Sequence, residues 1–195
     1  MFRLALFALL VLTGCGGCSP AELEVAQGDS TSPEDDMSWV TWETCGQLPG
    51  DNPCNFELTN QHGDKVELYD FHKQVIVIDL SAMWCGVCAQ IAPKGDEFTS
   101  DYGDENFEWL TLMIDDTQGN PPDQSDLQAW ADSFGIRGHV LGGDRTMIDP
   151  AAQTGFPISG WPTLVIIDQT MTLQYGIIGW NETTVRGWIE QLLEG

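Results

Sequence analysis

From residue 39 onward, short apolar runs alternate with polar breaks marked by glycine or proline, and the periods of those runs predict the elements. Phe56-Glu57-Leu58 and Val66-Glu67-Leu68 alternate apolar and acidic residues on either side of a His62-Gly63-Asp64 turn, the pattern of a β-hairpin. Val75 to Leu80 is apolar and β-branched except at Asp79, which predicts a central strand covered on both faces. The stretch from Cys88 to about Tyr102 reads as helical, and Phe107 to Ile114 as a second buried strand. That strand leads into a polar loop, Asp115 to Gln124, which Pro121 and Pro122 keep irregular. A helix capped by Ser125 or Asp126 runs to Phe134 and ends at Gly135, and a short strand at 139–141 follows. Thr163 to Ile167 and Leu173 to Ile178 read as adjacent strands joined by a turn at Asp168 to Thr170. Glu182 to Leu193 is a closing helix with Val185, Trp188, Ile189 and Leu192 on one face. Without the hairpin and the short strand at 139–141, the order is β-α-β-α-β-β-α. This predicts an α/β fold in which a central mixed sheet is flanked by helices, with an N-terminal β-hairpin, and no internal repeat.

The first 38 residues follow different rules. Met1-Phe2-Arg3 and the apolar run Leu4 to Leu12 have the charged start and short core of an export signal, too short to span a bilayer. Leu12-Thr13-Gly14-Cys15 comes next and resembles the lipobox of bacterial lipoproteins. The resemblance implies that residues 1–14 are removed and that Cys15 carries the lipid. Each buried methylene contributes about 0.8 kcal/mol, so several acyl chains on one residue give stable anchoring. From Gly16 to Ser38 the chain is rich in Gly, Ser, Pro, Glu and Asp, and residues 15–38 are expected to form a flexible acidic tether. Its root-mean-square reach is about 25 Å and its extended limit about 80 Å. The expected location is the periplasmic side of a bacterial cell envelope. The glycine after Cys15, where some lipoproteins carry a retention aspartate, leans toward the outer membrane.

The remaining 39–195 suffices for one domain, and eight tryptophans with 42% hydrophobic residues supply its core. Thirty acidic residues against seven basic ones give a formal charge of -23, which repels phosphate backbones and excludes nucleic acid as a partner. A solvated acidic surface explains the excess, with attraction to a basic partner as the alternative.

The residues that carry chemistry are Trp84-Cys85-Gly86-Val87-Cys88, at the junction of a buried strand and a helix. A zinc site would need two further ligands, and Cys45 and Cys54 are too widely spaced for a zinc knuckle. At a helix start, unpaired backbone N–H groups and the positive end of the dipole favour a thiolate, so Cys85 is the attacking sulfur. Lowering its pKa from about 8.5 to about 7 takes only about 2 kcal/mol. Cys88, one turn later, is the resolving sulfur. Asp79, in an otherwise apolar strand, is suited to take its proton, because burial raises a carboxyl pKa.

Val77-Ile78-Asp79 through Trp84-Cys85-Gly86-Val87-Cys88 to Pro93 resembles the active-site segment of thioredoxins, with Asp79 matching the buried acid and Pro93 the helix-kinking proline. Gly160-Trp161-Pro162-Thr163 resembles the loop in which thioredoxins hold a cis-proline against the dithiol. The upstream hairpin, Leu68-Tyr69-Asp70-Phe71 and the insertion from Gly135 to Gly155 are similar to the TlpA/ResA branch, usually membrane-tethered and extracytoplasmic. The resemblance covers about residue 55 to the end. It implies a thioredoxin-like fold and a thiol:disulfide oxidoreductase exchanging disulfides with protein substrates, most plausibly as a reductant. Cys85, Cys88, Asp79 and Pro162 would be catalytic, with Trp84, Gly86, Val87, Trp161 and Thr163 lining the substrate. No cofactor is implied beyond the Cys85–Cys88 disulfide, and no metal site. The partners are thiol- or disulfide-containing proteins, a membrane or periplasmic electron donor, and the membrane itself through the lipid. Two departures leave the redox potential open: Val87 replaces the proline of Cys-Gly-Pro-Cys, and Thr111 or a neighbour stands where thioredoxin has a lysine near its acid.

Other readings stay open. Disulfide formation or isomerisation uses the same sulfurs at a different potential. Cys85, Cys88 and Met83 could instead hold Cu(I) for delivery to a membrane oxidase. A peroxidase would need a Pro-x-x-x-Thr-x-x-Cys segment that does not precede the pair. Cys45 and Cys54 are expected to form a structural disulfide closing a Pro/Gly-rich loop, with a second redox pair as the alternative, and Cys18 is left over. His62, His72 and His139 are not in ligand spacing. Asp115, Asp116, Asp123 and Asp126 read as a solvated loop lacking the spacing of a calcium-binding EF-hand.

Overall fold

Seven strands form one mixed sheet, and its order explains where the chemistry falls. The computed structural model describes residues 37–103, 106–152 and 155–195. The export signal, Cys15, Cys18 and the tether as far as residue 36 lie outside the described residues. Met37–Trp39 is a 3-10 turn closed by Val40 N–H donating to the Met37 carbonyl (3.0 Å). One compact unit runs from Thr41 to Gly195.

Its elements are β1 (Glu57–Asn60), β2 (Lys65–Glu67), β3 (Val75–Ala82), α1 (Gly86–Ile91), α2 (Lys94–Tyr102), β4 (Phe107–Asp115), α3 (Gln124–Phe134), β5 (His139–Gly142), β6 (Thr163–Ile167), β7 (Leu173–Ile178) and α4 (Glu182–Leu193). The strand order is β2-β1-β5-β4-β3-β6-β7. β3, β4 and β5 are parallel, and β6, β7 and the hairpin are antiparallel to their neighbours. β3 is central and all eight of its residues are buried, as its unbroken apolar run requires.

Side chains alternate across a strand, and residues paired in register share a face. Val75, Val77, Phe107, Trp109, Leu164 and Ile166 therefore face one way, where Ile91 of α1, Phe98 of α2 and Val185 and Ile189 of α4 cover them. Leu127, Trp130 and Ala131 of α3 pack with Met113 and Val140 on the same face. β3 to β4 and β4 to β5 step across the sheet in one direction, so right-handed crossovers bring their helices to one side. Ile76, Ile78 and Leu80 face the other way and are fully buried too. There, Gly143 is wedged between Ile114 and Met147 of the 3-10 turn Arg145–Ile148.

The expected fold class is borne out, with one local difference. The helix after the cysteines breaks at Pro93, as the resemblance implied, because Pro93 has no N–H to donate and its ring crowds the preceding turn. α3 starts at Gln124, earlier than expected. Asp123, rather than Ser125 or Asp126, is its N-cap, accepting from Ser125 N–H (2.8 Å) and Asp126 N–H (3.0 Å). The helix ends, as expected, at Gly135 in the left-handed conformation.

Candidate active site

The dithiol sits where β3 turns into α1. Cys85 is the N-cap of α1, its Sγ accepting from Cys88 N–H at 3.2 Å, and the two cysteines form a disulfide with Cα atoms 5.2 Å apart. Cys88 is 1% exposed and Cys85 8%, so Cys85 is the more accessible of the two. They form a small cluster with Ala82 against which Trp161 packs. The Trp161–Pro162 peptide is cis, and Thr163 Oγ1 holds the loop by donating to the Gly160 carbonyl (2.8 Å). Trp84 is half-exposed and lies edge-on to Trp161, ring centroids 5.7 Å apart. Val87 is exposed, and a side chain at Gly86 would meet nothing, so the face above the disulfide is open.

Asp79 lies one layer below. It shares the β3 face of Val75 and Val77, the face under α1, with Thr111 directly across in β4 and Leu164 across in β6. Burial pushes its carboxyl up to about 7, against the opposing effect of Ser81 Oγ, which donates to Asp79 Oδ1 at 2.6 Å. Thr111 thus occupies the position opposite the acid, as the sequence suggested, and offers it no cation.

Asp115 and Arg145 belong to the site and were not anticipated. β4 carries one extra residue opposite Ser81/Ala82, so Asp115 pairs with Ala82 and turns to the face away from Asp79. Its carboxylate is fully buried and accepts from Trp84 Nε1 (3.0 Å) and from Arg145 Nε (3.0 Å) and Nη2. The loop that follows is only partly the solvated acidic loop expected. Asp116 is buried and accepts from Gln118 N–H (2.7 Å) and Asn120 N–H (2.9 Å), which hold its carboxyl below the usual range. A β-bulge has no signature in hydrophobic periodicity, so nothing in the sequence marked Asp115 as different from its neighbours.

Cys45 and Cys54 form a disulfide that closes a loop against the sheet edge. Gly50 N–H donates to the Leu173 carbonyl (2.7 Å) and Leu173 N–H to the Asp51 carbonyl (2.8 Å). Between this loop, Phe156, Pro157 and the exposed face of β6 and β7 lies a groove of about 210 Å³ that reaches Thr163 beside the cis-proline. A larger cleft of about 540 Å³, lined by Asp96, Arg137 and His139, contains no cysteine. Among the described residues, no three His, Cys, Asp or Glu side chains gather as metal ligands. His62 and His139, distant in sequence, come near each other; burial, and then the His62 charge, push the His139 pKa down.

Residues 49–176 match the model of the AhpC/TSA family, a span that contains the dithiol, Asp79 and the cis-proline loop. The chain belongs to the AhpC/TSA family. Its fold is shared with a thioredoxin-family thiol:disulfide interchange protein from Chlorobium tepidum (TM-score 0.61, 15% identity, covering 76% of this chain and 99% of that one). The exposed lipoprotein thioredoxin Etrx1 of Streptococcus pneumoniae is also similar (TM-score 0.56, 20% identity, covering 71% and 100%). Thioredoxin-1 of Schizosaccharomyces pombe is 44% identical over 34 residues, which span 17% of this chain and 33% of that protein. The thioredoxin-like fold read from the sequence is borne out. At these identities the structural likeness speaks for the fold alone.

Proposed function

We propose that this protein is an extracytoplasmic thiol:disulfide oxidoreductase that reduces disulfides in protein substrates through Cys85 and Cys88, tethered to a membrane by a lipid on Cys15. The observation that carries the reading is the disulfide at the start of α1, with Cys85 accepting a backbone N–H and facing an open rim while Cys88 is buried beneath it. The lipobox-like Cys15, the export signal and a structural neighbour that is itself an exposed lipoprotein support the tethered location.

In the reduced protein, the Cys85 thiolate attacks one sulfur of the substrate disulfide. A mixed disulfide forms and the other substrate sulfur leaves as a thiolate. Cys88 then loses its proton to the Asp79 carboxylate and attacks Cys85, releasing the second substrate thiol and leaving the Cys85–Cys88 disulfide. The substrate gains the two electrons that the dithiol loses, and a separate donor must return them. A carboxyl held near 7 can take and return a proton at neutral pH. Pro162, Trp161 and Thr163 align the substrate backbone beside Cys85, and Trp84, Gly86 and Val87 form the rim it crosses.

Insulin reduction by the dithiol form tests the reading. Cys85→Ser should abolish turnover, and Cys88→Ser should accumulate mixed disulfides with natural partners. A parent protein that reduces no disulfide, together with a Cys88→Ser variant that captures none, would refute it. Stoichiometric Cu(I) binding to Cys85 and Cys88 that survives a thiolate competitor, without reductase activity, would favour the copper-delivery alternative.

A further inference from the structure

We propose that Arg145 is a positioning residue for the dithiol reaction, fixing the indole of Trp84, the residue before Cys85, through the buried Asp115 carboxylate and offsetting that negative charge. The proposal rests on the thiol-exchange reading for its consequence in turnover, but its geometry stands independently. Asp115 Oδ2 accepts from both Trp84 Nε1 and Arg145 Nη2, and Oδ1 accepts from Arg145 Nε. Met83 N–H donates to the Asp115 carbonyl (2.9 Å), so the backbone entering the motif is pinned to the same residue that holds the indole. Trp84 in turn meets Trp161, which precedes the cis-proline. A chain of contacts from Arg145 to Asp115, Trp84 and Trp161 therefore walls one side of the disulfide. Turning the indole away costs the buried carboxylate one of the three hydrogen bonds it accepts, and removing Arg145 costs it the other two.

Arg145 is itself held. It opens the 3-10 turn that Asp144 caps by accepting from Thr146 N–H (2.7 Å), and Gly143 N–H ties the preceding chain to the Met113 carbonyl (2.9 Å). Its side chain is 60% exposed, so it neutralises Asp115 from the solvent side rather than being buried with it.

The charges around the dithiol are few. Asp79 of β3 lies on one face of the sheet and Asp115 of β4 on the other, while Asp116 is turned into its own loop. α1 and residues 155–163 contain no titratable side chain except the cysteines. Lys94, at the start of α2, is engaged by Glu97 (2.9 Å) and Glu182 (3.0 Å). Among these groups Arg145 is the cation paired with an acid of the site, and removing it leaves Asp115 to disfavour the Cys85 thiolate.

The test uses the Cys88→Ser background for the rate of Cys85 alkylation by iodoacetamide against pH, and the intact dithiol for insulin-reduction kinetics. Arg145→Met should raise the alkylation midpoint by about 0.5–1 pH unit, a three- to tenfold slower reaction below it, and should raise KM more than it lowers kcat. Arg145→Lys keeps the charge and loses the fork, so it should restore the midpoint but not KM. Adding Asp115→Asn to Arg145→Met removes the uncompensated charge and should return the midpoint toward the parent value. A purely structural role would lower Tm in Arg145→Met without moving the midpoint, and that result overturns the proposal. Should Arg145→Met not fold, Arg145→Lys still decides: a parent-like KM refutes the positioning role. If the parent itself reduces no disulfide while the midpoint shifts as stated, the thiol-exchange reading fails and the electrostatic coupling stands.

Discussion

Asp79→Asn should stabilise the oxidised protein, and the gain should grow with pH. In the unfolded chain the carboxyl titrates near its ordinary 3.8, whereas in the fold burial among apolar strands pushes it up to about 7. Between those values the folded state holds a proton that the unfolded state has released. Stability therefore falls as pH rises through that window and stays lowered above it. A shift of roughly three units corresponds to about 4 kcal/mol, a large share of the 5–15 kcal/mol typical of a domain. Asparagine keeps an oxygen that can accept from Ser81 and has no charge to desolvate. Urea unfolding of the Cys85–Cys88 disulfide form at pH 4 and pH 8 measures the effect. The two proteins should differ little at pH 4, and the variant should be more stable by several kcal/mol at pH 8. A difference that is the same at both pH values, or a variant less stable at pH 8, would refute the assignment of Asp79 as a buried acid destabilised by its own ionisation. The same variant should slow resolution of the mixed disulfide, linking the stability cost to proton transfer.

Replacing Cys45 and Cys54 together by serine should cost about 2–3 kcal/mol in a urea titration, since the disulfide closes a short loop. The potential of the Cys85–Cys88 pair should not move; if it does, the second disulfide is a redox partner. Gly95→Ala should destabilise despite a helix-propensity gain of about 1 kcal/mol, because the new Cβ would lie 2.7 Å from Trp109 Cδ1 and overpacking typically costs about 1–3 kcal/mol. An unchanged or higher Tm would show that α2 shifts freely over β4. Arg186 pairs with Glu97, Asp101 and Glu182 and lies 4.1 Å over the Phe98 ring. Arg186→Met should cost about 1–2 kcal/mol at low salt and less in 1 M NaCl, and a salt-independent loss would make packing rather than charge the cause.

Local order and chemistry are linked differently to sequence. β3, β4, β6, β7 and α4 appear where period and β-branching put them, because each buries a face whose periodicity is written in consecutive residues. Cys85 at a helix start and Asp79 in an apolar strand were equally visible, since each depends on neighbours a few positions away. The break at Pro93, matched in the sequence to a helix-kinking proline, follows from its missing N–H.

What the amino-acid order determined by itself was the set of elements and the dithiol with its acid and proline loop. What only the tertiary structure decided was the order β2-β1-β5-β4-β3-β6-β7, the edge-on contact of Trp84 with Trp161, and the capture of Asp115 by Trp84 and Arg145. The physical reason is range. Periodicity and capping act over one or two turns of chain, whereas the one-residue bulge in β4 that turns Asp115 toward Arg145, thirty positions further on, exists only once β3 and β4 pair.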